Sequence, residues 1–120
     1  MTIFRVDGEG VSMARATGET AGAIEGMRLH EGYAVSTWLN SHCHIRLDTA
    51  SLVKLDVLTD IYVSRITDSL LRINIERGQV LISVHNQEPG HGLEAIVGNT
   101  VISVRGTLFS QACSRMELPQ

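Results

Sequence analysis

Val101-Ile102-Ser103-Val104-Arg105-Gly106-Thr107-Leu108-Phe109 reads as two short apolar runs joined by Arg-Gly-Thr. The runs are aliphatic and β-branched, which suits a half-buried pleated surface. Gly106 tolerates a positive φ without penalty, so Arg105-Gly106-Thr107 marks a bulge or sharp bend between two strands. The same grammar recurs upstream. In His42-Cys43-His44-Ile45-Arg46-Leu47-Asp48 the polar residues share one face and Cys43, Ile45 and Leu47 the other. Ile61, Val63 and Arg65 oppose Tyr62, Ser64 and Ile66. Leu71, Ile73 and Ile75 oppose Arg72, Asn74 and Glu76, and Val80, Ile82 and Val84 oppose Leu81, Ser83 and His85. Period-two alternation of this kind predicts strands with one buried face.

Turn chemistry falls between the runs at Asp7-Gly8, Thr17-Gly18, Glu31-Gly32, Asn40-Ser41, Asp48-Thr49, Thr67-Asp68, Arg77-Gly78, Glu88-Pro89-Gly90 and Gly98-Asn99. Spacings of roughly 8 to 12 residues predict an all-β domain of about 10–12 short strands, a jelly-roll-like sandwich or a short strand-wound solenoid. The Ala-rich stretch from Ala14 to Ile24 carries two glycines and a Thr-Gly turn, and it reads as a hairpin rather than a helix. The widest polar loop is His85-Asn86-Gln87-Glu88-Pro89-Gly90-His91-Gly92.

A length of 120 residues makes this one domain, residues 1–120, able to bury roughly two thirds of its unfolded surface. The net charge of −3 and the scarcity of aromatics argue against nucleic acid, which wants a basic footprint and stacking faces. No apolar run reaches the roughly 20 residues that span a bilayer. Met1-Thr2-Ile3-Phe4-Arg5 lacks a cationic segment followed by an apolar stretch, so no signal peptide is expected within this segment. That leaves a cytoplasmic protein or a domain excised from downstream of an export signal.

His42 and His44 lie two apart on a strand, so both imidazoles point to one face and are candidate metal ligands, as in cupins. Glu88-Pro89-Gly90-His91 resembles a second cupin motif. Yet no Glu follows His44 at the cupin distance, and Gly32 is too far upstream of His42. The histidine face is also the one opposite Ile45 and Leu47. Two histidines on a solvated sheet face, with no metal, is the simpler reading. Cys43 is flanked by imidazoles but points to the other face, so it packs as a small hydrophobe rather than as an activated thiol. A Cys43–Cys113 disulfide is the alternative. No nucleophile elbow, P-loop or placed carboxylate pair is present, so no catalytic residue and no cofactor are expected. Arg105 reads as a structural clamp on backbone carbonyls, Asp48 or Asp56, with an anion or partner contact as the rival. Trp38, Tyr33 and Tyr62 are the aromatics available to a glycan-binding surface.

The terminal stretch resembles the closing signature of FecR-like domains. Glu25-Gly26-Met27-Arg28-Leu29-His30-Glu31-Gly32-Tyr33-Ala34-Val35-Ser36-Thr37 is similar to that family's opening. His44-Ile45-Arg46-Leu47-Asp48 with Leu52-Val53-Lys54-Leu55 is similar to its central hairpin, and Leu71 to Val84 to its strand pair. The resemblance covers residues 3 to 112, with Gly26, Gly32, Gly78, Arg105, Gly106 and Thr107 as its structural signature. It implies a non-catalytic module at the cell surface or in the periplasm, excised from a larger protein. Its expected role is sensing or protein–protein interaction in signal transduction. Its partner would be another protein or another domain of the same chain, with no nucleic acid and no direct membrane insertion.

Overall fold

Pairing joins these strands into one sheet folded along a line. The structure, a computed structural model, describes residues 1–47, 51–67, 70–84, 92–104 and 107–112; for 65, 66, 107, 109, 111 and 112 it describes the backbone alone. The elements are β1 (Thr2–Asp7), β2 (Val11–Ala14), β3 (Thr20–Gly22), β4 (Ala34–Thr37), β5 (His42–Arg46), β6 (Ser51–Leu55), β7 (Asp60–Ile66), β8 (Leu70–Val84), β9 (Gly92–Val97), β10 (Thr100–Ser103) and β11 (Thr107–Ala112). There is no helix among the described residues, and Ala14 to Ile24 holds the turn and the second strand of the β2–β3 hairpin.

One layer runs β1-β5-β6-β8-β11 and the other β3-β2-β4-β7-β8-β9-β10. β1 continues into β2 through Gly8 to Gly10, β4 into β5 through Trp38 to Ser41, and β6 into β7 through Asp56 to Thr59. β8 passes from layer to layer unbroken. These bent strands neighbour one another in the same order in both layers, alternating in direction. A strand-wound solenoid stacks its coils in parallel. Among the described strands only β8 and β9 pair in parallel, so the fold is a curled, mostly antiparallel sheet closed into two layers.

The fold line is a seam of buried hydroxyls. Thr37 Oγ1 donates to the Asp56 carbonyl at 2.5 Å and accepts the Thr59 N–H at 2.9 Å. Thr59 Oγ1 in turn accepts the Gln79 N–H at 3.1 Å. Further along, the Trp38 N–H reaches the Gly10 carbonyl at 2.8 Å, and the Gly10 N–H reaches Ser41 Oγ at 2.9 Å. A strand that turns a corner interrupts its ladder, and these side chains satisfy the interrupted groups.

Arg77-Gly78 is not a turn between two strands, as its composition suggests, but a bend inside the 15-residue β8. The core face of β8 changes parity there. Ile73 and Ile75 point inward before Gly78; Val80, Ile82 and Val84 do so after it. Opposite the bend, pairing slips by one residue between Asp60 and Ile61, the mark of a bulge. The φ of Gly78 is +94°, and a Cβ there would meet the Leu58 carbonyl at 2.6 Å as well as Thr59. The corner at Val57-Leu58 carries no turn residue; Leu58 adopts a φ of +52°.

Both layers contribute to one core, including Ile3, Val11, Val35, Cys43, Ile45, Val53, Leu55, Ile61, Ile73, Ile82 and Leu93. The free edge of β1 is covered by residues 24–29. Ile3 N–H donates to Met27 O at 2.8 Å, Gly26 N–H to Ile3 O at 2.7 Å, and Val6 N–H to Glu25 Oε2 at 3.0 Å. At the other end, β10 belongs to one layer and β11 to the other, so the stretch from Val101 to Phe109 does change layers. Arg105 and Gly106, with the clamp and the positive φ expected of them, lie outside the described residues.

Candidate interaction face

Alternation in β5 and β6 sends Cys43, Ile45, Val53 and Leu55 inward, each fully buried. Their neighbours His42, His44, Arg46, Leu52 and Lys54 therefore share the outer face of that layer. Register arranges this face in cross-strand rows, with strands about 4.8 Å apart. One row is Arg5, His44, Lys54 and Leu81. Nearer the seam, Asp7 pairs with His42, whose Nε2 lies 3.2 Å from Asp56 Oδ1. Away from the seam run Thr2, Arg46, Leu52 and Ser83. Phe4 falls in a register shift between Ile3 and Arg5, stands 49% exposed, and carries the Arg46 guanidinium 4.4 Å above its ring. That is a cation–π contact.

Charges sort by row. Arg5 and Lys54, the one lysine of the chain, flank His44; Asp7 and Asp56 flank His42. Arg5 Nε also lies 3.1 Å from Asp7 Oδ1, an exposed pair. Burial, and then the Lys54 ammonium, hold the His44 imidazole below its ordinary pKa. Its Nδ1 is buried without a partner. Leu52 and Leu81 are each more than a third exposed beside these groups. Two shallow depressions open on the same face, one lined by Lys54, Asp56, Gln79 and Leu81, the other by Thr2, Phe4, Gly26 and Arg46. Cations and part-exposed apolar groups on one sheet face suit docking.

The two strand histidines do share a face, the outer one, opposite Cys43 and Ile45. Cupin ligands point into the barrel, so the cupin reading fails on orientation. They are half-buried rather than fully solvated. His91 lies outside the described residues. Among the described residues, no three of His, Cys, Asp and Glu are grouped to hold an ion. Cys43 is a free thiol in the core, pushed up to about 12 by burial and then by Asp7; Cys113 lies outside the described residues.

The signature glycines do not converge on one site. Gly26, Gly32 and Gly78 take φ of +91°, +91° and +94°, at the β1 cover, the turn before β4 and the seam. Thr107 opens β11 opposite Ser83. The aromatics are also dispersed. Trp38 is exposed at the seam and Tyr62 on the outer face of β7, whereas Tyr33 packs on the core beside His30. Trp38 and Tyr62 stand about four strand residues apart along β4, roughly 13 Å.

Reading the sequence singled out His42 and His44 but not Phe4, Arg5, Arg46, Leu52, Lys54 or Leu81, which complete the face. The outward phase of Arg46, Leu52 and Lys54 is readable from the alternation around Ile45 and Val53. Phe4 is not, because its bulge breaks the alternation.

The family model described as FecR protein matches residues 33–117 of the 120. The chain belongs to the FecR family. The match takes in the central hairpin, β8 and the terminal strands, and begins after Glu25-Gly26 and Gly32. No curated protein and no solved structure matches the chain. FecR proteins form a regulatory signalling family, typically membrane-associated with an extracytoplasmic portion. Among the described residues, no helix is long and apolar enough to cross a membrane.

Proposed function

We propose that this chain is a non-catalytic, extracytoplasmic sensing and interaction module of the FecR family. It contacts another protein, or another domain of its own chain, through the outer face of β1, β5, β6 and the C-terminal half of β8. The observation that carries this reading is Leu52 and Leu81 standing part-exposed among Arg5, Arg46 and Lys54 on one sheet face. Apolar groups inside a charged frame are the composition of a recognition surface.

Two measurements in cells of the source organism test it, using the whole parent protein. Thr17 is exposed at the β2–β3 turn, remote from this face. In a Cys113→Ser background, Thr17→Cys is expected to react with a membrane-impermeant maleimide before lysis. Labelling only after lysis overturns the compartment. A photo-crosslinking amino acid at Leu81 or Leu52 is expected to yield a discrete adduct that is missing when the same group replaces Thr17 or Tyr62. Equal adducts at all four positions overturn the face.

A further inference from the structure

Resting on that face as the contact surface, we propose that it grips a carboxylate-bearing extended segment of a partner protein along the Arg5–His44–Lys54 row, and that docking is coupled to proton uptake at His44. In a chain of net charge −3, this row gathers the single lysine and an arginine around an imidazole. Leu52 and Leu81 lie beside it and accept apolar residues from the same segment. The adjoining row of Asp7, His42 and Asp56 decides the kind of partner. A bilayer of anionic headgroups would be repelled along it, whereas a polypeptide places its charges position by position.

The groups around His44 are Arg5 and Asp7 from β1, His42 and Arg46 from its own strand, Lys54 from β6 and Asp56 just beyond the end of β6; β8 supplies the uncharged Leu81. In the free domain a protonated His44 would set three cations in one row with a buried Nδ1–H unanswered. A carboxylate over the row offsets that charge and offers the missing acceptor. By linkage, what favours protonated His44 in the complex makes binding tighter as pH falls. Carboxylates of ordinary pKa, near 4.3 for Glu, stay ionised throughout that range.

The probe is a blocked peptide of about ten residues alternating Glu with Leu or Val, read by fluorescence anisotropy against the 120-residue chain. Its affinity is expected to rise roughly three- to tenfold from about pH 7.5 to about pH 5.5. Lys54→Gln should weaken binding at both pH values. His44→Asn should lose the rise between the two pH values. The His44 ring-proton titration, followed by NMR, should move to higher pH on saturation. Several results overturn the inference: equal binding of a peptide with Lys for Glu, binding of phosphatidylglycerol vesicles but not the peptide, concentration-dependent self-association that excludes it, or a pH rise retained by His44→Asn. If the peptide fails while the adducts at Leu52 and Leu81 persist, only the carboxylate and proton coupling fall. If the adducts fail too, the face falls with them.

Discussion

Gly78 bears two independent demands, a left-handed φ and a Cβ position already filled by Leu58 and Thr59. Gly26 bears only the first, since nothing lies within 4 Å of its would-be Cβ. Gly78→Ala should therefore destabilise by well over ~1 kcal/mol, and Gly26→Ala by about 1 kcal/mol. Denaturant midpoints that rank them equally would show that the seam yields around residue 78. Cys43 gives a test in pH. Its folded pKa is raised, so between the ordinary thiol range near 9 and about 12 the native state holds a proton that the unfolded chain releases. Stability from this group is intact below about pH 9 and is lost as pH rises through that window, at most about 1.4 kcal/mol per pH unit. Cys43→Ala should lower stability at neutral pH through the cavity yet flatten the alkaline decline. An unchanged alkaline slope in that variant would assign the decline to other groups. His44 behaves oppositely, because its folded pKa is depressed. Its contribution is present above about pH 6.5 and fades as pH falls through the folded value, so His44→Asn should be less acid-sensitive than the parent in urea melts.

β8 is where reading by elements succeeds and fails most clearly. Ile73 and Ile82 are fully buried, and each change to Ala should cost roughly 2–5 kcal/mol. Arg72, on the opposite face, is not simply solvated. Its Nη2 and Nε lie 2.7 and 2.9 Å from Glu94 Oε1 across the β8–β9 pair, and both side chains are partly buried. Arg72→Ala should therefore cost about 0.5–1 kcal/mol, more than a free surface site. Thermal melts that place Arg72→Ala below Ile82→Ala would invert the assigned faces. The bend shares this pattern, for Arg77 Nε lies 2.9 Å from Asp60 Oδ2, an ion pair in which the N–H is not aligned for a hydrogen bond. Strand existence and alternation were legible for β5, β7 and both halves of β8, because alternation is local. The parity change from Ile75 to Val80 was equally visible, but a turn and a bulge both move the phase, and only pairing with Asp60 and Ile61 distinguishes them. The Val57-Leu58 corner was hidden for another reason: it uses an aliphatic residue at positive φ where Gly or Asn would announce a turn.

For the whole molecule, family membership and the all-β class could be read from motif order and turn spacing, whereas the candidate face could not. Arg5 and Lys54 are 49 positions apart and become neighbours of His44 only through the β1–β5–β6 register. No local pattern encodes that. The same non-local pairing gives β8 an unusual place. It is the one described strand that belongs covalently to both layers, hydrogen-bonded to β7 and β9 on one side of Gly78 and to β6 and β11 on the other. Amide hydrogen exchange should reveal the outcome. If the layers opened as separate units, Ile73 and Ile82 amides would lose protection at different free energies. A shared strand ties the two openings together, so both amides should exchange only by global unfolding, with one common dependence on denaturant. The three-residue β3, at the sheet edge, should exchange earlier through local fraying that never reaches the seam.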